Sequence, residues 1–143
     1  MLSPLAFWMG LSGLLPFIAG PLWLTVSPET APAWLDVMWR YYVAMIASFM
    51  AGTFWGFAVP LSRGTAGLLG VAIAALLMLL SWAALALAFH ASLLLLGVVF
   101  LLLLLADYWR DRALDSIEGY FRLRAILTVS VLIVLSWRLL LPA

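Results

Sequence analysis

Polar positions in this chain are gathered into short islands between long apolar blocks, with neither the two-residue alternation of a half-buried strand nor the narrow stripe of a soluble amphipathic helix. From Thr65 to Asp107 the only titratable side chain before the aspartate is His90. Apolar length on this scale requires lipid as solvent, since about 20 such residues cross a bilayer as a helix. The blocks predict five helices, at 5–24, 38–59, 65–89, 92–109 and 123–140. The first carries Gly10, Gly13, Pro16, Gly20 and Pro21, so it is expected to bend or break near Pro16. A polar link with Ser27, Pro28, Glu29 and Pro32 follows, and Pro60 stops the second helix. One continuous helix over 65–109 would be roughly 66 Å long, about twice the hydrocarbon thickness. The run must fold back, and positions 90–92 offer its one polar interruption.

These elements imply an all-α, polytopic membrane protein, a single bundle of five transmembrane helices over 1–143 with short loops. Composition agrees: 68% of the residues are hydrophobic and 9% charged, with a mean hydropathy of +1.22. The first apolar block lacks a basic start, so it is expected to be a retained span and not a signal peptide. The net charge of +1 gives no basic face for nucleic acid. Without cysteine there is no disulfide, thiolate metal site or thiol nucleophile. With the N-terminus inside, Arg63, Arg110, Arg112, Arg122 and Arg124 share one side, and Arg40 and Arg138 the other. That bias predicts a cytoplasmic N-terminus and a periplasmic C-terminus. Trp8, Trp23, Trp34, Trp39, Trp109 and Trp137 fall at predicted helix ends, as interfacial indoles do, whereas Trp55 and Trp82 fall inside helices.

Two constellations bear on function. In the second helix Ala44, Ser48, Gly52 and Gly56 recur every four residues, a small-residue stripe suited to close helix packing. Internal packing, a homodimer contact or a groove for a flat ligand would each use it. The groove version joins Pro16 to Ser48, Gly52, Trp55 and Gly56. The second constellation is the charged connection with Asp107, Asp111, Asp115, Arg122 and Arg124. Asp107, Asp111 and Asp115 would form one acidic stripe, but Asp107 with Arg110, Arg112 with Asp115 and Glu118 with Arg122 are helical neighbours. This connection is expected to be a solvated cytoplasmic face of exposed pairs, with no metal and no cofactor. Arg40 is expected to anchor the opposite interface, paired with Asp36 four residues earlier. His90 has no second His, Cys or carboxylate beside it, and the scattered hydroxyls have no base, so no catalytic constellation emerges.

The block RYYVAMIASFMAGTFWGFAV at 40–59 resembles the signature of the domain of unknown function 3429 family, the transmembrane protein 69-like group, which reads roughly S-F-x-x-G-x-x-W-G. LSGLLPF at 11–17 is similar to that family's G-L-x-P-F segment, and YFRLRAILTVSVLIVLSW at 120–137 to its terminal segment. Many relatives are expected to carry His or Arg before Trp55, where this chain has Phe54. The resemblance implies a small multi-spanning inner-membrane protein of bacteria, or alternatively of mitochondria, and no established activity. The expected role is a non-enzymatic accessory, assembly or oligomeric component, whose partners are the bilayer and a homo-oligomer or larger membrane complex. The alternative is a binder or carrier of a lipid or quinone in a groove between the first two helices. A carrier built on internal repeats and intramembrane charges is not expected, since neither feature is visible in the sequence.

Overall fold

The computed structural model describes residues 4–59, 63–113 and 120–141, apart from the side chains at 57, 110–113 and 120. Its helices are α1 (Pro4–Ser12), α2 (Leu14–Val26), α3 (Leu35–Ala58), α4 (Thr65–Ala84), α5 (Phe89–Ala113) and α6 (Tyr120–Leu140), with a 3-10 turn at Pro28–Thr30 and no strand among the described residues. The α1–α2 stretch Pro4–Val26, α4, Phe89–Trp109 of α5 and Phe121–Leu140 of α6 are each long and apolar enough to cross a membrane. The fold is an all-α membrane bundle. In it α3, at 24 residues, packs on α2, α4 and α5.

The break in the first span falls at Gly13, three residues before the proline that predicts it. Gly13 N–H closes a tight turn on Gly10 O at 3.2 Å. Pro16 then lies in the first turn of α2, where a missing N–H removes no helical bond. Pro21, inside α2, has a different consequence: it cannot donate to the carbonyl of Phe17 four residues earlier. The Trp39 indole supplies that donor, with Nε1 at 2.8 Å from Phe17 O. Gly20 makes the approach possible, because a Cβ there would lie 2.7 Å from Trp39 Cδ1. The Phe17 ring, fully buried, meets Trp39, Tyr42 and Phe100 edge-on with centroids 5.5–6.3 Å apart. This aromatic knot, with Val43, Leu96 and Val99, is the centre of the core.

Gly70 of α4 faces Ala58 of α3 so closely that a Cβ on it would sit 3.0 Å from the Ala58 Cβ. Phe54, at the position where the resemblance places a polar residue, is buried in the same contact with Ala74 and Ala106.

The fold-back of the long apolar run corrects the sequence reading. The turn lies at 85–88, not at 90–92: His90 is exposed in the first turn of α5, and α4 ends at Ala84. Leu85, Ala86 and Leu87 N–H groups bond three residues back, to Trp82, Ala83 and Ala84 carbonyls, which tightens the last turn without Gly or Pro. Arg40 Nη1 then takes the Leu87 carbonyl at 2.9 Å. This earlier end also moves Trp82 into the last turn of α4, and Trp55 lies in the last turn of α3. Both are exposed, so both belong with the interfacial indoles, whereas Trp39 is internal.

Candidate functional site

The half-span α1 buries none of its residues, and its offset from α2 at Gly13 leaves space beneath it. That space is a cavity of about 460 Å³ between α1–α2, α3 and α6. Its volume lies within the range typical of small-molecule sites, roughly 300–1,000 Å³. Phe17, Met50, Leu123 and Val131 form a buried apolar floor, and the exposed Ala6, Met9 and Phe49 form the rim. Ile46, Phe49, Met50 and Thr53 of α3 recur at three- and four-residue spacing, so one face of that helix is the wall. Gly10 and Gly13 line the opposite side, where the missing side chains keep the space open.

The polar part of the lining is Thr53 and Arg124. Arg124 is 4% exposed, and Asp107 1%. Arg124 Nε donates to Asp107 Oδ2 at 2.8 Å and Nη2 to Oδ1 at 3.2 Å, a bidentate pair that joins α6 to α5. The same guanidinium reaches α3, donating through Nη2 to Met50 O at 2.9 Å and through Nη1 to Thr53 Oγ1. Thr53 in turn donates to Met50 O at 2.8 Å. A buried guanidinium is tolerated in such a place only with a carboxylate and fixed carbonyls around it. It ties together the three helices that meet at this end of the cavity.

A second pair stands at the other end of α6. Arg138, 1% exposed, donates through Nε to Asp36 Oδ1 at 3.0 Å and through Nη2 to Oδ2 at 2.7 Å. Its guanidinium carbon lies 4.6 Å from the centre of the Phe89 ring, a cation–π contact. Fourteen residues of helix separate the two arginines, about 21 Å at 1.5 Å per residue, less than the roughly 30 Å of hydrocarbon. Arg124 and Arg138 thus both lie within Phe121–Leu140, the part of α6 long and apolar enough to cross a membrane, where the sequence reading counts no ionisable residue.

The predicted site residues are only partly brought together. A groove does lie between the first two predicted helices, but Pro16, Ser48, Gly52, Trp55 and Gly56 do not line it. Pro16, Gly52, Trp55 and Gly56 are exposed, and Cβ atoms on Gly52 or Gly56 would meet nothing within 4 Å. The Gly52 and Gly56 end of the small-residue stripe thus faces outward, whereas Ala44 is buried in the core and Ser48 half-buried; the α3–α4 contact uses Ala58 and Gly70 instead. The solvated-face reading is corrected at Asp107 and Arg124, which are buried and paired with each other across 17 residues of sequence. Likewise Asp36 serves Arg138 and not Arg40. Arg122 is exposed, and Asp115 and the side chain of Asp111 lie outside the described residues. Sequence reasoning missed Thr53, Met50 and Phe49, though Thr53 sits on the one helical face that also carries Ile46 and Met50.

The comparisons with known proteins agree with this architecture and assign it no chemistry. A stretch of 59 residues is 42% identical to Transmembrane protein 69 of Xenopus tropicalis, covering 38% of this chain and 21% of that protein. This chain therefore spans about a fifth of that relative's length. No solved structure matches. The family described as "Protein of unknown function (DUF3429)" matches residues 2–140. With nearly the whole chain inside that match, the protein belongs to the DUF3429 family.

Proposed function

We propose that this membrane protein binds an apolar molecule taken from the bilayer and holds it in the cavity between α1–α2, α3 and α6, without chemical conversion. The observation that carries the reading is the cavity itself, about 460 Å³ with an apolar floor and an exposed rim at Ala6, Met9 and Phe49. In a helical bundle, sites for hydrophobic ligands lie between helices in this manner, with few polar groups placed at one end. Native mass spectrometry of the protein released gently from its membrane tests it. One long-chain molecule per chain is expected, and it should be lost when Ala6→Trp or Gly10→Phe fills the space. A folded protein that never retains a molecule would sink the reading.

A second reading, an oligomeric or accessory component, is favoured by the open face of α3. There Gly52 and Gly56 leave backbone uncovered between the exposed Met45, Phe49 and Trp55. Small residues of this kind let a second helix approach closely. On this reading Gly52→Leu leaves each chain folded and abolishes a larger species in detergent; an unchanged size contradicts it. The arginine bias supports an N-terminus on the cytoplasmic side of a bacterial inner membrane, or the matrix side of the mitochondrial one. Because the chain lacks cysteine, single-cysteine variants report this directly: Glu29→Cys should label from outside, and labelling of Arg63→Cys from outside would reverse the orientation.

A further inference from the structure

The cavity lies in one half of the bilayer. Its walls run from Leu123 to Val131 on α6 and from Ile46 to Thr53 on α3, about 12 Å and about 10 Å of helix at 1.5 Å per residue. One leaflet's hydrocarbon is about 15 Å deep, half of the roughly 30 Å core. On the first span the lining runs from Ala6 to Phe17. Each of these stretches stops near the middle of its helical span, and each begins toward the membrane face at which the chain starts. Polarity follows the same direction: Thr53 and Arg124 stand at the shallow end, Phe17 and Val131 at the deep one. A lipid of that leaflet has the same gradient, with its head outward and its methyl end at the midplane.

The packing of the helices leaves one seam into this space. At the deep end Tyr42 Oη donates to Gly13 O at 2.6 Å, and the Trp39 and Phe100 rings stand against Phe17. Around the sides α1 and α2 pack on α6, α2 packs on α3, and α5 backs both α3 and α6. Among the described residues α1 does not pack on α3. The seam between them carries the exposed Met9 and Phe49, so it opens on the flank of the bundle, where lipid is the neighbour.

Resting on the proposed binding role, we infer that the occupant is one hydrocarbon chain of a bilayer lipid from the leaflet on the chain's N-terminal side, which enters sideways through the α1–α3 seam and lies with its methyl end against Phe17 and Val131. The lipid keeps the orientation of its neighbours, so its head stays at the interface and no polar group has to cross hydrocarbon. Only the chain moves, from lipid into an apolar wall of similar depth.

The test is photolabelling in phosphatidylcholine nanodiscs, read by peptide mass spectrometry. Two phosphatidylcholine probes carry a diazirine on one chain, either close to the ester or close to the methyl end. The methyl-end probe should mark the buried Phe17 and Val131, and the near-ester probe the buried Leu123 at the shallow end. The reverse pattern, or the same residues marked by both probes, overturns the inference. The seam is tested with Met9→Cys/Phe49→Cys, whose thiols are the sole ones in the chain. A short bis-methanethiosulfonate bridge between them, made before the probe is added, should abolish adducts on Phe17 and Val131. Reductant, which releases the bridge, should restore them, and capping each thiol singly should leave them in place. Undiminished labelling with the bridge closed also overturns the inference. If neither lipid probe marks the buried lining while a free hydrocarbon diazirine does, the lipid-chain inference falls and the cavity reading stands. If the free hydrocarbon also leaves the lining clean, the cavity reading falls and the inference with it.

Discussion

The carbonyl of Phe17 shows how one residue's lack of a proton is answered by another residue far along the chain. Pro21 deprives it of its helical donor, and Trp39 Nε1 replaces that donor at 2.8 Å. Trp39→Phe should therefore lower stability by about 1–3 kcal/mol, the range for a buried acceptor left unmatched. Adding Pro21→Ala returns an N–H to the helix, so the double variant should recover part of the loss in an SDS or thermal unfolding cycle. Strictly additive losses would mean that the indole acts by packing alone. Asp107 is the other decisive residue. Asp107→Ala removes the bidentate carboxylate from a buried guanidinium and should cost about 3–5 kcal/mol. Asp36→Ala should cost less, because the Asp36 side chain is 36% exposed and water can take its place near Arg138. Equal losses in detergent unfolding would contradict the burial difference. Of these features, the prolines and tryptophans were visible in the sequence. The pairing of Asp107 with Arg124 was not, because Asp107 has Arg110 nearer at helical spacing and the two partners lie 17 residues apart on different helices.

At the scale of elements, apolar length set the number of spans well, since lipid thickness imposes it from outside. Where an element ends was harder to read. The α4–α5 turn contains neither Gly nor Pro; it is fixed by three-residue-back hydrogen bonds and by Arg40 capping Leu87 O, a tertiary contact with no local signature. Helix orientation about its own axis was the least legible. The four-residue stripe Ala44, Ser48, Gly52 and Gly56 suggested a packed face, yet in a bundle whose outside is also apolar, small residues can face either way. The two kinds of glycine give opposite expectations. Gly20→Ala forces a Cβ to 2.7 Å from Trp39 and should destabilise by about 1–3 kcal/mol, as overpacking does. Gly52→Ala meets nothing within 4 Å and should stabilise α3 by up to ~1 kcal/mol through helix propensity. Unfolding of the two single variants side by side checks this, and a loss on Gly52→Ala would place that face in a contact.

In the whole molecule, two ion pairs among the described residues, one buried and one part-exposed, hold α6 to its neighbours at opposite ends, and the broken first span leaves one end of the bundle hollow. The candidate groove was foreseen between the right helices but on the wrong face of α3, because sequence spacing names faces without saying which one turns inward. The central claim is that molecules dissolved in the bilayer enter this hollow. Photolabelling with a membrane-dissolved hydrocarbon diazirine, followed by peptide mass spectrometry, tests it most directly. Phe17, Met50 and Val131 are 0%, 3% and 1% exposed yet line the cavity, whereas Leu96 and Leu103 are fully buried away from it. Adducts on the first three with Leu96 and Leu103 clean are the predicted result. Adducts confined to outward residues such as Leu68 and Leu79, with the cavity floor unlabelled, would contradict it.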